Sequence, residues 1–213
     1  SEFVRNEFEG RGITIMTATR VESLTSTKKG LVAKISSENG SEENIFDRAI
    51  LAVGVTGNVE NLGLETTSVT TEKGSIVVNE WLETEEEGIY AIGDVAGAPL
   101  LAHKAMHEGV FCAEQIAGID HAQPMQKSRV PGCTYCHPQV ASVGLTERAA
   151  SEAGHKLRIG KFPLMGNGKA IAIGDTAGFV KTIFNADTGE LIGAHLVGPN
   201  VTETVSYTHL TLP

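Results

Sequence analysis

Residues 89–118, "IYAIGDVAGAPLLAHKAMHEGVFCAEQIAG", decide the architecture of this 213-residue chain. A short apolar run, spelling a buried strand, leads into the abrupt Gly93-Asp94 turn. A Gly/Pro loop follows, and from Leu101 the spacing predicts a helix. Leu101, Ala105, Val110 and Ala113 can form its apolar stripe, and Gly118 closes it. A strand that turns sharply into a helix is how α/β folds present nucleotides at the carboxyl edge of a sheet. Gly93 lets backbone approach a ligand closely, and an ionised Asp94 can accept hydrogen bonds from sugar-like hydroxyls. The helix dipole favours an electron-rich ligand edge at the same place.

Upstream, "SEFVRNEFEGRG" reads as the last turns of a helix, with Phe3 and Phe8 apolar and Gly10 or Gly12 as the stop. "ITIMTATRVESLTST" predicts a bent strand, "GLVAKISS" a second, and "NIFDRAILAVG" a third whose apolar end before Gly54 is buried on both faces. This order suits the back half of a doubly wound α/β domain. Residues 55–87 are loop-rich, with a short strand "SIVVN" and an acidic "ETEEEG" best read as a solvated turn; Trp81 reads as a packing residue.

Downstream, "IDHAQPMQKSRVPG" has the character of an inter-domain connection. "QVASVGLTERAASEAGH" predicts a strand, a Thr146 cap and a short helix. "LRIGKFPL", "KAIAIG", "GFVKTIFN" and "ELIGAHLVG" predict antiparallel strands, the last two joined by the tight turn "ADTG". This is an α+β domain of its own.

Composition narrows the partners. The net charge of -9 argues against nucleic acid, and no apolar run of 18 residues suggests a membrane span. No secretory leader is visible, and three cysteines do not suggest a disulfide framework, so a reducing cytoplasm is the simpler expectation. "CTYCHPQ" (133–139) spells C-x-x-C-H, the pattern of c-type haem attachment, yet nothing selects a distal ligand. Cys133 and Cys136 read more simply as reduced packing positions, a thiol pair or metal site being the alternative.

The 89–118 stretch closely resembles the second flavin-binding segment of the pyridine nucleotide-disulfide oxidoreductases. "VPGCTYCHPQVASVGLTE" and "FPLMGNGKAIAIGDTAGFVKTIFNADTGELIGAHLVGPNVTE" resemble the start and central sheet of that family's dimerisation domain. "RAILAVGVTGNVENLGLE" resembles the strand leaving its nicotinamide-nucleotide domain. The wording is nearest the branch that oxidises dihydrolipoamide to lipoamide with FAD and reduces NAD. Glutathione reductase, mercuric reductase and soluble transhydrogenase types share these segments.

The resemblance implies an α/β and α+β architecture in which the tail of a doubly wound NAD-binding domain occupies residues 1–58. An FAD-binding central segment takes 59–124, and an incomplete α+β dimerisation domain takes 125–204. It assigns Gly93 and Asp94 to the flavin's ribityl or pyrophosphate region. It sets the backbone of Leu101, Ala102 and His103 beside the flavin ring, and Gly54 near NAD. His103 alone can equally be a packing or capping residue. The implied partners are a second copy in a homodimer, a 2-oxo acid dehydrogenase complex and its lipoyl domain.

Three family parts have no counterpart here: the C-x4-C redox pair, the G-x-G-x-x-G loop and the catalytic His-Glu segment. The expectation is therefore a fragment, inactive by itself or a non-catalytic domain pair. "VSYTHLTLP" (205–213) reads as a translated sequencing adaptor and is set aside as non-native.

Overall fold

The computed structural model describes residues 2–119 and 123–205, without the side chains of Lys127 and Val205. Most of the expected non-native tail therefore lies outside the described residues. The chain divides into two compact units, residues 1–55 and 56–213.

In the first unit, α1 (Glu2–Glu9) ends where the Gly10 N–H donates to the Asn6 carbonyl at 2.9 Å. An antiparallel meander follows: β1 (Arg20–Thr27), β2 (Gly30–Ser37) and β3 (Gly40–Phe46), in that order. Ala33 and Ile35 on the central strand are its buried residues. Gly30 is required at its turn. Its φ is +128°, and a Cβ there would stand 2.8 Å from the Phe46 carbonyl oxygen.

Two strand expectations fail. β3 stops at Phe46 instead of running to Gly54, and Ile50, Leu51 and Val53 stand 92%, 81% and 85% exposed. Residues 89–92 form no strand either; Tyr90 makes one isolated bridge with Glu83. An apolar run becomes a strand only when a neighbour offers donors and acceptors along its flank. No described strand lies against residues 47–53.

The second unit opens with the small ladder of β4 (Thr71–Glu72) and β5 (Ser75–Ile76), shorter than the strand expected over "SIVVN". The acidic turn is solvated as expected, though Glu86 accepts from both the N–H and the hydroxyl of Ser68, at 2.8 and 2.7 Å. α2 (Ala102–Ile116) contributes Phe111 and Cys112 to a core with Leu82, and Trp81 stacks on Phe111 at 5.6 Å.

The remainder is a five-stranded antiparallel sheet built from β6 (Gly132–Thr134), β7 (Gln139–Gly144), β8 (Leu157–Pro163), β9 (Phe179–Asn185) and β10 (Leu191–Gly198). Its order is β6-β7-β10-β9-β8. Ala141 and Ile183 are fully buried in it, and α5 (Val201–Val205) covers β7 with Val201 against Ala141. α3 (Glu147–Glu152) begins as predicted, its Thr146 cap accepting from the Ala149 N–H. The "ADTG" hairpin is also present, with the Gly189 N–H donating to the Asn185 carbonyl at 2.8 Å.

"KAIAIG" departs from expectation: residues 168–173 form a helix, α4 (Gly168–Ile173). The Asn167 side chain caps its start by accepting from the Ala170 N–H, and Gly174 ends it in the left-handed region at φ 73°. Those two caps outweigh the apolar alternation that suggested a strand. No helix among the described residues is long and apolar enough to cross a membrane.

Two glycines, one in β10 and one in α4, make opposite predictions. A Cβ on Gly193 would lie 2.1 Å from the Leu145 carbonyl oxygen, whereas one on Gly168 meets nothing within 4 Å. Gly193→Ala is expected to destabilise by about 1–3 kcal/mol through overpacking. Gly168→Ala, in the first turn of α4, should stabilise by roughly 0.4–1 kcal/mol through the unfolded state. Thermal and denaturant melts of the two variants check both signs.

Candidate functional site

The Gly93–Ala96 turn is a single 3-10 element that opens on Gly93 at φ 76° and is followed by Gly97 at φ 91°, both at positive φ. Any side chain at either position meets the steric penalty of positive φ. The turn closes through the Gly97 N–H donating to the Asp94 carbonyl at 3.1 Å, which leaves Asp94 exposed on its crest.

What holds the turn is a pair the sequence reading missed. Lys104 is fully buried, and its Nζ donates to the carbonyls of Gly93 and Gly97, each at 2.9 Å. Nζ also pairs with Glu108 Oε1 at 2.9 Å, while Glu108 Oε2 accepts from the Gly93 N–H at 2.8 Å. The buried face of α2 therefore carries Lys104, Glu108, Phe111 and Cys112, not the expected stripe. Of that stripe, Val110 is exposed at 59%. The signal was present in the i, i+4 spacing of Lys104 and Glu108. Hydropathy hides it, because a charged pair scores as solvent-facing.

α2 starts beside this turn with Leu101 as an extended cap at φ −139°, and no side chain caps its first N–H groups. The backbone donors of the first turn are thus unmatched within the helix and suit an electron-rich ligand edge. The His103 ring points elsewhere: its Nε2–H donates to the Pro131 carbonyl at 2.8 Å, so its side chain ties α2 to the segment before β6. Gly57 completes the surround and is a third residue the sequence reading missed. A Cβ on it would lie 2.7 Å from the Gly74 carbonyl oxygen and 3.1 Å from the Val95 Cα.

Gly93, Asp94, Leu101, Ala102 and His103 thus share one compact unit, and Gly54 belongs to the other. Gly54 has φ 107°, with open space where a Cβ would stand. An open cavity of about 190 Å³, lined by Gln126, Arg129, Gly144, Glu190 and Gly193, shares no residue with the Asp94 turn.

The three cysteines are free thiols. Cys133 donates to the Thr202 carbonyl and Cys136 to the Pro138 carbonyl, which is how packed thiols satisfy themselves. Burial pushes the Cys133 and Cys112 thiols up, with Glu203 adding to the first and Glu83 to the second. Among the described residues, no three His, Cys, Asp or Glu side chains converge to hold a metal.

Residues 1–109 match the family described as pyridine nucleotide-disulphide oxidoreductase, and residues 130–212 match its dimerisation domain. Dihydrolipoyl dehydrogenase of Rhizobium etli is 52% identical over 94% of the chain and 42% of its own length. That of Zymomonas mobilis is 50% identical over 96% of the chain and 44% of its own length. Among solved structures, LpdA from Mycobacterium tuberculosis superposes with a TM-score of 0.87 at 26% identity, covering 98% of this chain and 45% of that one. The chain spans less than half the length of these relatives.

Two outcomes follow from this geometry. Gly57→Ala should lower stability by about 1–3 kcal/mol, because the new methyl meets backbone on two sides; a melt unchanged from wild type would show that the surround yields. A raised thiol pKa keeps Cys112 and Cys133 protonated as pH rises through the ordinary thiol value. Iodoacetamide at pH 8 should therefore modify both several-fold more slowly than free cysteine, and equally fast once the chain is unfolded, as read by peptide mass spectrometry. With residues 1–109 and 130–212 matching its two domain models, this chain belongs to the pyridine nucleotide-disulphide oxidoreductase family.

Proposed function

We propose that this chain supplies the flavin-contacting turn and the dimerisation domain of an enzyme that oxidises dihydrolipoamide to lipoamide with FAD and reduces NAD. The observation that carries the reading is the fixed Gly93–Gly97 turn, which sets an exposed Asp94 beside the uncapped start of α2. Such an arrangement joins an acceptor for sugar-like hydroxyls to a row of backbone donors, the two things a flavin's ribityl chain and ring edge need. The names of the relatives from Rhizobium etli and Zymomonas mobilis support the choice of substrate.

In this reading Asp94 accepts from a ribityl or pyrophosphate-proximal hydroxyl, and Gly93 keeps the backbone free of a side chain there. The N–H groups at Leu101, Ala102 and His103 face the ring, while Gly54 lies by NAD. FAD, when bound, supplies a ring that accepts two electrons. The residues of this chain bind and orient it, and they contain no C-x4-C thiol pair to feed it. The division is 1–58 for the NAD-binding part, 59–124 for the FAD segment and 125–204 for the dimerisation domain. A homodimer forms through that last domain in the cytoplasm, and the enzyme serves the lipoyl domain of a 2-oxo acid dehydrogenase complex.

Flavin-fluorescence titration of the purified chain tests this. The wild type should bind FAD, and Asp94→Ala should bind about ten- to a hundredfold more weakly, as expected for losing a hydrogen bond to a charged group. Equal affinity in the two, or no binding by the wild type, would overturn the reading. The chain by itself should not turn over dihydrolipoamide; turnover would refute the inactive-fragment expectation.

A further inference from the structure

The geometry points to Lys104 and Glu108 as a positioning pair that sets the backbone of the Gly93–Gly97 turn, and through it the location of the Asp94 carboxylate. The inference rests on the flavin reading above and adds what makes that site a fixed one.

A lysine ammonium has three donors. Here all three are used: one on the Gly93 carbonyl, one on the Gly97 carbonyl and one on Glu108 Oε1, each at 2.9 Å. The second oxygen of Glu108 takes the Gly93 N–H at 2.8 Å. Gly93 is therefore held at both its donor and its acceptor, and the two clamped carbonyls bracket Asp94 in sequence. Neither side chain has any appreciable exposure, so solvent competes for none of these bonds. A helix seeking only stability would bury apolar residues on this face, since a buried ion pair is seldom more stabilising than a hydrophobic replacement. What the pair supplies is direction. It fixes two glycines at positive φ, conformations that glycine left to itself leaves freely.

Both side chains are buried and bonded to the turn and to each other, so the role is one of positioning, and the test must read position as well as binding. Lys104→Met with Glu108→Leu removes both charges and leaves no orphan ion. Glu108→Gln keeps the side-chain shape and an acceptor for Gly93 while taking away the anion. Native-state hydrogen exchange of the Gly93 amide is measured in the flavin-free chain, alongside FAD titration.

The double variant is expected to melt cooperatively with α2 protected. Its Gly93 amide should exchange about tenfold faster or more, and its FAD affinity should fall by a similar factor, as expected for losing a bond to a buried charged group. Glu108→Gln should lie between it and the wild type in both readouts. Gly93 exchange and FAD affinity within twofold of wild type in either folded variant would overturn the proposal. If the double variant does not fold, Glu108→Gln decides alone. A wild-type chain that binds no FAD removes the flavin reading, while the exchange of Gly93 still decides whether the pair holds the turn.

Discussion

Lys104 and Glu108 meet at 2.9 Å on the buried side of α2, and the surroundings of the Asp94 turn follow from that contact. Taking two ions out of water is unfavourable, and it is offset here because every donor of the ammonium has a partner. Removing one partner of such a pair is worth about 3–5 kcal/mol in lost stability, a large share of what a domain this size holds. The pair also explains why α2 turns its apolar Val110 outward. The helix is rotated by the demands of two backbone carbonyls, and Phe111 and Cys112 follow one turn further along the same face.

The legible parts of the sequence were those whose signals are local. Thr146 capping α3 and the "ADTG" hairpin depend on groups a few residues from the backbone they satisfy, and the helix over residues 102–116 closes on the neighbouring Gly118 N–H. The Gly93-Asp94 turn was legible for the same reason. Residues 47–53 and 89–92 were misread because apolar composition describes a strand's faces and says nothing of its edges. "KAIAIG" was misread because six residues carry too little periodicity to separate a strand from a helix, while the deciding caps, Asn167 and Gly174, stand just outside them.

Within the candidate site, Asp94 and its neighbours came from a motif, but the residues that fix them did not. Lys104 is drawn inward by carbonyls seven and eleven positions away in sequence, and no composition rule anticipates a fully buried lysine. His103 shows the converse. Its place at a helix start left its side chain open to packing, capping or a ligand contact, and its ring reaches the Pro131 carbonyl, joining α2 to the segment that opens the five-stranded sheet. "CTYCHPQ" likewise proved to be β6 and its turn, with thiols satisfied by carbonyls.

The strand order of the two larger sheets bears on how fast each can form. In the β1-β2-β3 meander every pairing closes a short hairpin, so its contacts are local and its loop-closure entropy is small. In the larger sheet, β7 must wait for β10, with Ala141 opposite Leu196 across more than fifty residues of chain. The meander also leaves the ribosome first. Contact order therefore puts the N-terminal sheet early and the closing of the C-terminal one late, so β6 and β7 spend that interval with an open edge, the period in which this chain is most prone to pair with another copy of itself.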